Sequence, residues 1–326
     1  MGDRDALISR FLTEAGWSAA KRVRIAGDLS ARRYFRLKGA GGETVVLMDA
    51  DPKLDPSTPR FVQVTNWLRA ANLSAPDILA SAADDGLLLL EDFGDTKVSD
   101  AIKSEPDLRS GIYTLTLELI DRVQERPLDG LHTPSPQELV NLTRLADDYY
   151  PHIDQARLKP FRALLETVLA EILSEPPAVS LRDFHADNLI WLPNRAGFRR
   201  LGILDYQDAF LTHPVYDVVS LLTDARTDIE PEFRTRMIRE YAQRSGRNLA
   251  EVSRAFAAFS AQRNLRILGI FARSASRDGK SVHLPKLPRV YGYLIEALRH
   301  PVFASVAQDA IAAIPPPTPE MIEALT

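Results

Sequence analysis

The sequence predicts an α+β fold in which a small antiparallel β-rich lobe precedes a large, mainly helical lobe. Before Phe93, short runs rich in β-branched and aromatic residues alternate with Gly or polar turns, as antiparallel strands do. After Phe93, the apolar residues mostly recur at helical spacing. We therefore expect an N-terminal lobe at 1–92 and a C-terminal lobe at 93–326, with a cleft between them for a small ligand.

The elements expected in the N-terminal lobe follow from local periodicity. Strands are expected at 23–27, 32–38, 43–50, 78–81 and 86–94, and helices at 5–16 and 59–71. Residues 87–90 are all leucine, which predicts a strand buried on both faces.

The C-terminal lobe contains one expected hairpin among helices. Helices are expected at 107–125, 136–149, 156–174, 231–244, 249–273, 286–299 and 301–313, with a short final helix after the run IPPPTPE. The hairpin strands are expected at 188–192 and 199–206, on either side of the turn NRAG.

Composition excludes several classes of function. The chain of 326 residues has no cysteine, which removes disulfides, thiolate metal sites and cysteine nucleophiles. A net charge of −4 gives no general attraction to nucleic acid or anionic membranes, so neither partner is expected. No apolar run approaches the ~18–20 residues that span a bilayer, and the N-terminal stretch lacks a signal-peptide core. We expect a cytoplasmic protein of undetermined oligomeric state.

The stretch LRDFHADNLIWL, residues 181–192, carries the candidate chemistry. Asp183 and Asn188 lie on the loop that enters the expected hairpin, and Asp205 lies at its exit. Because the two ends of a hairpin are close in space, these oxygen-bearing side chains are expected to converge. Asn188 and Asp205 offer oxygen ligands of the kind that Mg²⁺ prefers. Asp183 is suited to accept a hydrogen bond from an incoming hydroxyl, which completes the requirements of phosphoryl transfer.

A structural interpretation competes with this catalytic one. Loop Asp and Asn residues commonly cap helices or form turns, and an Asp and an Asn five positions apart often occur by chance. The apolar strand after Asn188, the apolar strand that ends at Asp205 and the β-rich lobe upstream favour the catalytic interpretation.

Two of these segments resemble the kinase-like aminoglycoside phosphotransferases, which have a protein-kinase-like two-lobe fold. RDFHADNL is similar to their catalytic loop, ILDYQDA to their metal loop, and HPVYDVVSLL to the segment that follows. GDLSARRYFRL, LLLLEDFG and QRNLRILGIFARSASRDGK further resemble bacterial anomeric sugar kinases, which phosphorylate C1 of N-acetylmuramate and N-acetylglucosamine in cell-wall recycling.

The resemblance implies roles for individual residues. It implies that Asp183 is the catalytic base, that Asn188 and Asp205 hold Mg²⁺, and that ATP is the donor. Glu91 and Phe93 would border the hinge whose backbone binds adenine. Asp217 would fix the catalytic loop.

The sequence departs from the kinase pattern at two places that concern the nucleotide. Met48 stands where a lysine normally binds the phosphates, and Arg32, Arg33 and Arg36 on the neighbouring strand are candidates to replace that lysine. The competing interpretation is that these arginines are solvated on an exposed hairpin. The covering turn has one glycine, so Ser30 and backbone N–H groups are expected to cradle the phosphates. Leu181 replaces the usual histidine of the catalytic loop and is expected to pack in the interior.

The acceptor is expected to be a small molecule. Gln207 and Asp208 follow the metal ligand directly and are candidates to bind sugar hydroxyls, and Asp224 adds a further acidic group. Arg263 and Arg266 lie three positions apart and suit an acceptor with a carboxylate, although ordinary surface charge explains them equally well. Alternative functions are another small-alcohol kinase, of aminoglycoside, choline or homoserine type, and a nucleotide-binding protein without catalysis.

Overall fold

The computed structural model describes residues 3–25 and 32–325. The strands are β1 (Lys21–Ile25), β2 (Arg33–Lys38), β3 (Thr44–Asp49), β4 (Ile78–Ala82), β5 (Leu87–Glu91), β6 (Ala178–Ser180), β7 (Leu189–Trp191), β8 (Leu201–Ile203) and β9 (Phe210–Thr212). The helices are α1 (Asp3–Glu14), α2 (Thr58–Ala70), α3 (Val98–Ser104), α4 (Leu108–Gln124), α5 (Pro136–Leu142), α6 (Leu145–Tyr149), α7 (Gln155–Ile172), α8 (Tyr216–Leu222), α9 (Pro231–Ser245), α10 (Leu249–Ser276), α11 (Leu287–Leu298), α12 (Ala307–Ala312) and α13 (Pro319–Ala324).

The chain forms two compact units. The first comprises Met1–Arg109 with Asn188–Ala209, and the second Ser110–Asp187 with Phe210–Thr326. The hairpin formed by β7 and β8 thus groups with the N-terminal sheet, although the sequence placed it in the C-terminal lobe. The lobe boundary after residue 92 stays a prediction.

The first unit is built on an antiparallel sheet of five strands in the order β1-β2-β3-β5-β4. Helix α1 covers one face, where Ile8 and Phe11 pack with Leu37, Leu47 and Leu89 in a buried apolar cluster. This packing follows from period-two alternation in the strands and from the apolar stripe of the helix. Residues 87–90 are all buried, as expected for a strand covered on both faces.

The hairpin of β7 and β8 is attached to the first unit by backbone pairing. Ser74 pairs with Gly202 in a parallel bridge, and Lys97 pairs with Ile190 in an antiparallel one. The backbone N–H of Trp191 also donates to the carbonyl of Thr96 at 2.7 Å. The hairpin is therefore fixed on both of its edges, which gives the residues at its ends a rigid support.

The second unit is organised around α10, a helix of 28 residues. Its first turn is capped by Asn248, whose side chain accepts from the backbone N–H of Ala250 at 2.8 Å. Gly269 lets α6 approach closely, because an added Cβ would lie 2.5 Å from the backbone nitrogen of Ala146. Strands β6 and β9 pair in antiparallel register within the same unit.

The structure corrects several expected elements. The helix expected at 136–149 is two helices, α5 and α6, and the one expected at 301–313 is a 3₁₀ turn followed by α12. Helices α3 and α8 and strands β6 and β9 were missed. Three-residue strands are too short to show periodicity, and every residue of α8 is buried, so no polar face marks it as a helix. Among the described residues, no helix has both the length and the apolar character to cross a membrane.

Candidate active site

Asn188 and Asp205 flank the β7–β8 hairpin and lie side by side in the first unit. Asn188 immediately precedes β7, and Asp205 follows β8 after one residue. The backbone N–H of Leu204 donates to the carbonyl of Asn188 at 2.9 Å and closes the ends of the hairpin. The amide nitrogen Nδ2 of Asn188 donates to Oδ2 of Asp205 at 3.4 Å. The hairpin thus brings the two expected metal ligands together.

The carboxylate of Asp205 is oriented by its own loop. Asp205 has a φ of 58°, a left-handed conformation that is uncommon outside glycine and is found at functional sites where the surroundings enforce it. Nε2 of Gln207 donates to Oδ1 of Asp205 at 2.9 Å and stands 3.4 Å from Oδ2 of Asp208. Within the described residues, the buried Oε1 of Gln207 accepts no hydrogen bond. Gln207 and Asp208 therefore lie beside Asp205, and their contact with a sugar stays a prediction.

The aromatic residue after Asp205 anchors this loop to α2. Tyr206 is fully buried, its hydroxyl lies 2.7 Å from Oγ1 of Thr65, and its ring stacks on Phe61 with centroids 5.0 Å apart. A buried tyrosine that satisfies its hydroxyl in this way fixes the backbone next to it. The position of Asp205 is therefore determined by the core as well as by the hairpin.

The donor set of this pair fits Mg²⁺. One carboxylate and one carboxamide provide oxygen ligands, and a half-turn of the Asn188 amide presents Oδ1 where Nδ2 now faces Asp205. Magnesium is commonly held by one or two carboxylates, with water and phosphate oxygens completing its shell. In the described parts of the chain, no group of three or more His, Cys, Asp or Glu side chains is arranged to hold a metal.

The loop that carries Asp183 is fixed by a buried carboxylate in the second unit. Asp217 accepts hydrogen bonds from Oγ of Ser180 at 2.6 Å, from the backbone N–H of Leu181 at 2.8 Å and from that of Arg182 at 3.1 Å. Burial raises the pKa of Asp217 to about 6, although these three donors favour its charged form. Asp217 fixes the loop, as the family resemblance implied, and the buried Leu181 packs as expected.

Asp183 lies just after a strained residue. Arg182 has a φ of 70°, and its carbonyl accepts a hydrogen bond from Oγ of Ser220 at 3.0 Å. Oδ1 of Asp183 lies 3.5 Å from Nη2 of Arg263, and the Asp183 side chain is 43% exposed. Asp183 is thus an accessible carboxylate beside a buried guanidinium group. Its convergence with the Asn188–Asp205 pair stays a prediction.

Arg32 lies in a buried polar network of the first unit. Its Nε donates to Oδ2 of Asp55 at 2.8 Å, and its Nη2 donates to Oγ of Ser57 at 2.6 Å. Asp55 and Ser57 immediately precede α2, so the network ties that helix to the residue before β2. Ser30 lies outside the described residues.

The other two arginines of this strand are paired in different directions. Arg33 forms an ion pair with Asp49, which also binds Arg4 of α1. Arg36 donates to both carboxylate oxygens of Asp92, at 2.6 and 2.9 Å, and to Asp95 at 2.7 Å. Arg36 therefore links β2 to the segment that follows β5.

Met48 is fully buried and lies opposite Tyr34 on one neighbouring strand and Leu88 on the other. Side chains of paired residues share a face of the sheet, so an apolar chain occupies the position of the missing lysine. Burial raises the pKa of Tyr34, and the negative charge of Asp205 contributes to that rise. Tyr34 is therefore close enough to Asp205 for their charges to interact.

The segment expected to border adenine is held against the hairpin. Oε1 of Glu91 accepts from Nη2 of Arg195 at 2.5 Å, and the Arg195 guanidinium lies 5.0 Å from the ring centroid of Phe93. Gly202 of β8 leaves room for this ring, because an added Cβ would lie 2.7 Å from Cδ2 of Phe93. The sequence offered no signal for Arg195 or Gly202 as partners of this segment, since both are remote along the chain.

Asp224 is placed differently from the other predicted acceptor-binding residues. Its side chain is fully buried, accepts from the backbone N–H of Arg226 at 2.9 Å and lies 3.3 Å from Oγ1 of Thr227. Burial raises its pKa. These contacts describe a turn-forming carboxylate, and its contact with a sugar stays a prediction.

Comparison with known proteins agrees with this geometry. The profile of the phosphotransferase enzyme family matches residues 21–254. The chain is 31% identical to an N-acetylmuramate/N-acetylglucosamine kinase of Caulobacter vibrioides, over 93% of this chain and 95% of that protein. It is 28% identical to a kinase of the same name from Pseudomonas aeruginosa, over 95% of this chain and 94% of the relative.

Solved structures show the same architecture. A choline/ethanolamine kinase family protein from Mesorhizobium loti superposes with a TM-score of 0.67 at 13% identity, over 94% of this chain and 99% of that one. Identity at this level shows the fold alone, which is kinase-like. With the family profile covering most of the sequence, the chain belongs to the phosphotransferase enzyme family.

Proposed function

We propose that this protein transfers the γ-phosphoryl group of ATP to the anomeric C1 hydroxyl of N-acetylmuramate or N-acetylglucosamine, in cytoplasmic recycling of cell-wall sugars. The observation that carries the proposal is the Asn188–Asp205 pair, an oxygen-only ligand set fixed at the ends of a hairpin. The names of relatives that match nearly the whole chain support the sugar acceptors.

The proposed role of Asp183 follows from its exposure and its neighbour. It accepts a hydrogen bond from the anomeric hydroxyl and orients the hydroxyl oxygen toward the γ-phosphorus. Arg263, 3.5 Å away, restrains the carboxylate from one side. The hydroxyl proton passes to Asp183 as the new O–P bond forms and the bond to the β-phosphate oxygen breaks. Positioning and charge stabilisation supply the acceleration, so no covalent enzyme intermediate is required.

The proposed roles of Asn188 and Asp205 are to hold Mg²⁺. When bound, the ion neutralises charge on the phosphates. Gln207 keeps the Asp205 carboxylate in one orientation through its 2.9 Å hydrogen bond.

Arg32 is our candidate for the cation that replaces the missing lysine. It lies two positions before Tyr34, and the face that carries Tyr34 also carries Met48. Arg33 turns to Asp49, and Arg36 to Asp92 and Asp95. In this role Arg32 exchanges its contacts with Asp55 and Ser57 for the phosphates. We expect Arg32→Met to raise the KM for ATP about tenfold or more, because a charge-assisted contact is worth ~1.5–3 kcal/mol. Arg22→Met, on the edge strand β1, is the control. An unchanged KM for ATP would exclude Arg32 from this role.

An assay of ADP release tests the proposed function. The acceptors are N-acetylmuramate, N-acetylglucosamine, choline and kanamycin, and the sugar product is checked for acid lability, because glycosyl-1-phosphates hydrolyse in mild acid and alkyl phosphates do not. We expect the two sugars alone to support turnover. Asp205→Asn and Asp183→Asn should each lower kcat by orders of magnitude with the fold retained, since each removes a charge that the reaction needs. ADP release with choline or kanamycin instead would replace the sugar assignment, and no release with any acceptor would overturn the proposal.

A further inference from the structure

Three arginines lie near Asp183 in the second unit. Arg263 lies 3.5 Å from its carboxylate, Arg182 precedes it in the chain, and Arg266 is close enough for its charge to interact with theirs. Arg263 and Arg266 lie three positions apart on α10, on one face of that helix. Nη1 of Arg263 donates to the carbonyl of Arg182 at 3.2 Å and to the hydroxyl of Tyr216 at 3.4 Å. We call Arg182, Arg263 and Arg266 the arginine cluster.

The arginine cluster has more hydrogen-bond donors than its surroundings satisfy. Asp183 and Asp217 both act on the charge of Arg263, and Asp217 already accepts three hydrogen bonds. Within residues 3–25 and 32–325, the guanidinium groups of Arg182 and Arg266 form no hydrogen bond or ion pair, and the buried Nε of Arg263 has no acceptor. The arginine cluster therefore has guanidinium donors that no acceptor of the described residues satisfies.

The pKa shifts of the two helix arginines differ in direction. Burial lowers the pKa of Arg263, but Tyr216 and Asp183 outweigh it and the pKa is raised. Burial lowers the pKa of Arg266, and the nearby charges of Arg182 and Arg263 lower it further. An arginine remains ionised at neutral pH despite such a shift. Gathering guanidinium groups in a partly desolvated site is unfavourable unless an anion compensates, so the arrangement is typical of an anion-binding site.

We propose that the arginine cluster binds the carboxylate of the lactyl group that distinguishes N-acetylmuramate from N-acetylglucosamine. The inference rests on the proposed function and names the residues that recognise one of the two acceptors. The cluster is close to Asp183, where the acceptor must sit, and guanidinium donors match the planar geometry of a carboxylate. The competing anion is a phosphate group of the nucleotide or product, which both sugars would share.

The two sugars form a matched pair that tests the proposal. We compare kcat/KM for N-acetylmuramate and for N-acetylglucosamine in Arg266→Met, because Arg263 also supports the loop and is a less specific target. Loss of one charge-assisted contact should lower kcat/KM for N-acetylmuramate, divided by kcat/KM for N-acetylglucosamine, roughly 10- to 100-fold. Arg266→Lys, which keeps the charge without the planar fork, should give an intermediate ratio. Arg254→Met is the control, since Arg254 lies on the same helix and pairs with Glu171 instead.

Each outcome has a defined meaning. A fall in the ratio, with the control unchanged, supports the carboxylate site. An equal fall with both sugars would overturn it and assign the cluster to phosphate or to the loop. Unchanged kcat/KM values with both sugars would also overturn it. Wild-type protein that turns over neither sugar contradicts the proposed function itself, which is a separate result from an active enzyme whose ratio is insensitive to Arg266.

Discussion

Replacing Asp217 by asparagine tests whether a buried carboxylate determines the position of Asp183. The amide can keep its oxygen toward Ser180 and Arg182, but its NH₂ group then faces the backbone N–H of Leu181, which now donates at 2.8 Å. Two donors in contact repel each other and leave a buried N–H unsatisfied. We therefore expect the backbone just before Asp183 to shift.

The expected magnitudes separate activity from stability. Loss of a hydrogen bond to a charged acceptor costs about 1.5–3 kcal/mol. The pKa of Asp217 is raised from 3.8 to about 6, so keeping the native carboxylate ionised at pH 7 costs roughly 3 kcal/mol that the amide avoids. These terms nearly cancel, so we expect the unfolding free energy at pH 7 to change by about 1 kcal/mol or less. A displaced loop should still lower kcat by roughly 10- to 100-fold.

The pH dependence of unfolding gives an independent signature. Because the native pKa of Asp217 lies above its unfolded value, the folded protein retains a proton that the unfolded chain releases. Its stabilising contribution is complete below about pH 4 and is lost as the pH rises through 6. The stability of the wild type relative to Asp217→Asn should therefore be greater at pH 4 than at pH 7 by roughly 2 kcal/mol.

The assays are ADP release with the active sugar and urea unfolding followed by tryptophan fluorescence. Ser180→Ala is the matched control, because it removes one donor to Asp217 and keeps both backbone donors. It should reduce kcat less than Asp217→Asn. A wild-type kcat combined with a stability loss of several kcal/mol would refute the reasoning, since it would make Asp217 a purely structural residue.

Two further predictions concern the segment expected to border adenine and the stability of the protein in acid. Gly202→Ala should raise the KM for ATP and leave the KM for sugar unchanged, because its Cβ would lie 2.7 Å from Phe93. Gly292→Ala is the control, since no described atom lies within 4 Å of its Cβ. Equal KM values for ATP in the two variants would contradict this prediction. Burial lowers the pKa of His213 from 6.5 to about 4, so its contribution to stability is present above pH 6.5 and is lost as the pH falls toward 4. Between pH 7.5 and pH 5, the unfolding free energy of the wild type should fall by roughly 2 kcal/mol more than that of His213→Gln. Equal falls in the two proteins would contradict the burial of a neutral imidazole.

Much of the fold was predictable because it depends on local periodicity. The alternation of β2 and β3 and the all-leucine run of β5 each specify a strand and its degree of burial. The long helix α10 was evident from its apolar spacing. The three-residue strands β6 and β9 were not, because their existence depends on a partner more than thirty residues away rather than on a pattern of their own.

The approach of Asn188 and Asp205 was predictable for a related reason. A hairpin brings its own ends together, so two oxygen ligands on either side of it must approach each other whatever surrounds them. No comparable rule predicts which carboxylates the arginines of this strand pair with. Arg32, Arg33 and Arg36 are near neighbours in the sequence, yet strand register and side-chain reach direct them to three different sets of carboxylates.

The sequence by itself determined the α+β fold, the buried strands and the oxygen ligands at the hairpin, since each follows from spacing along a short stretch of chain. Only the tertiary structure decided which charges are paired, that Asp217 is buried beneath the loop of Asp183, and that the arginine cluster keeps unsatisfied donors. The reason is physical: charge pairing and burial depend on groups that are distant in the chain and close in space, and no local pattern encodes that proximity.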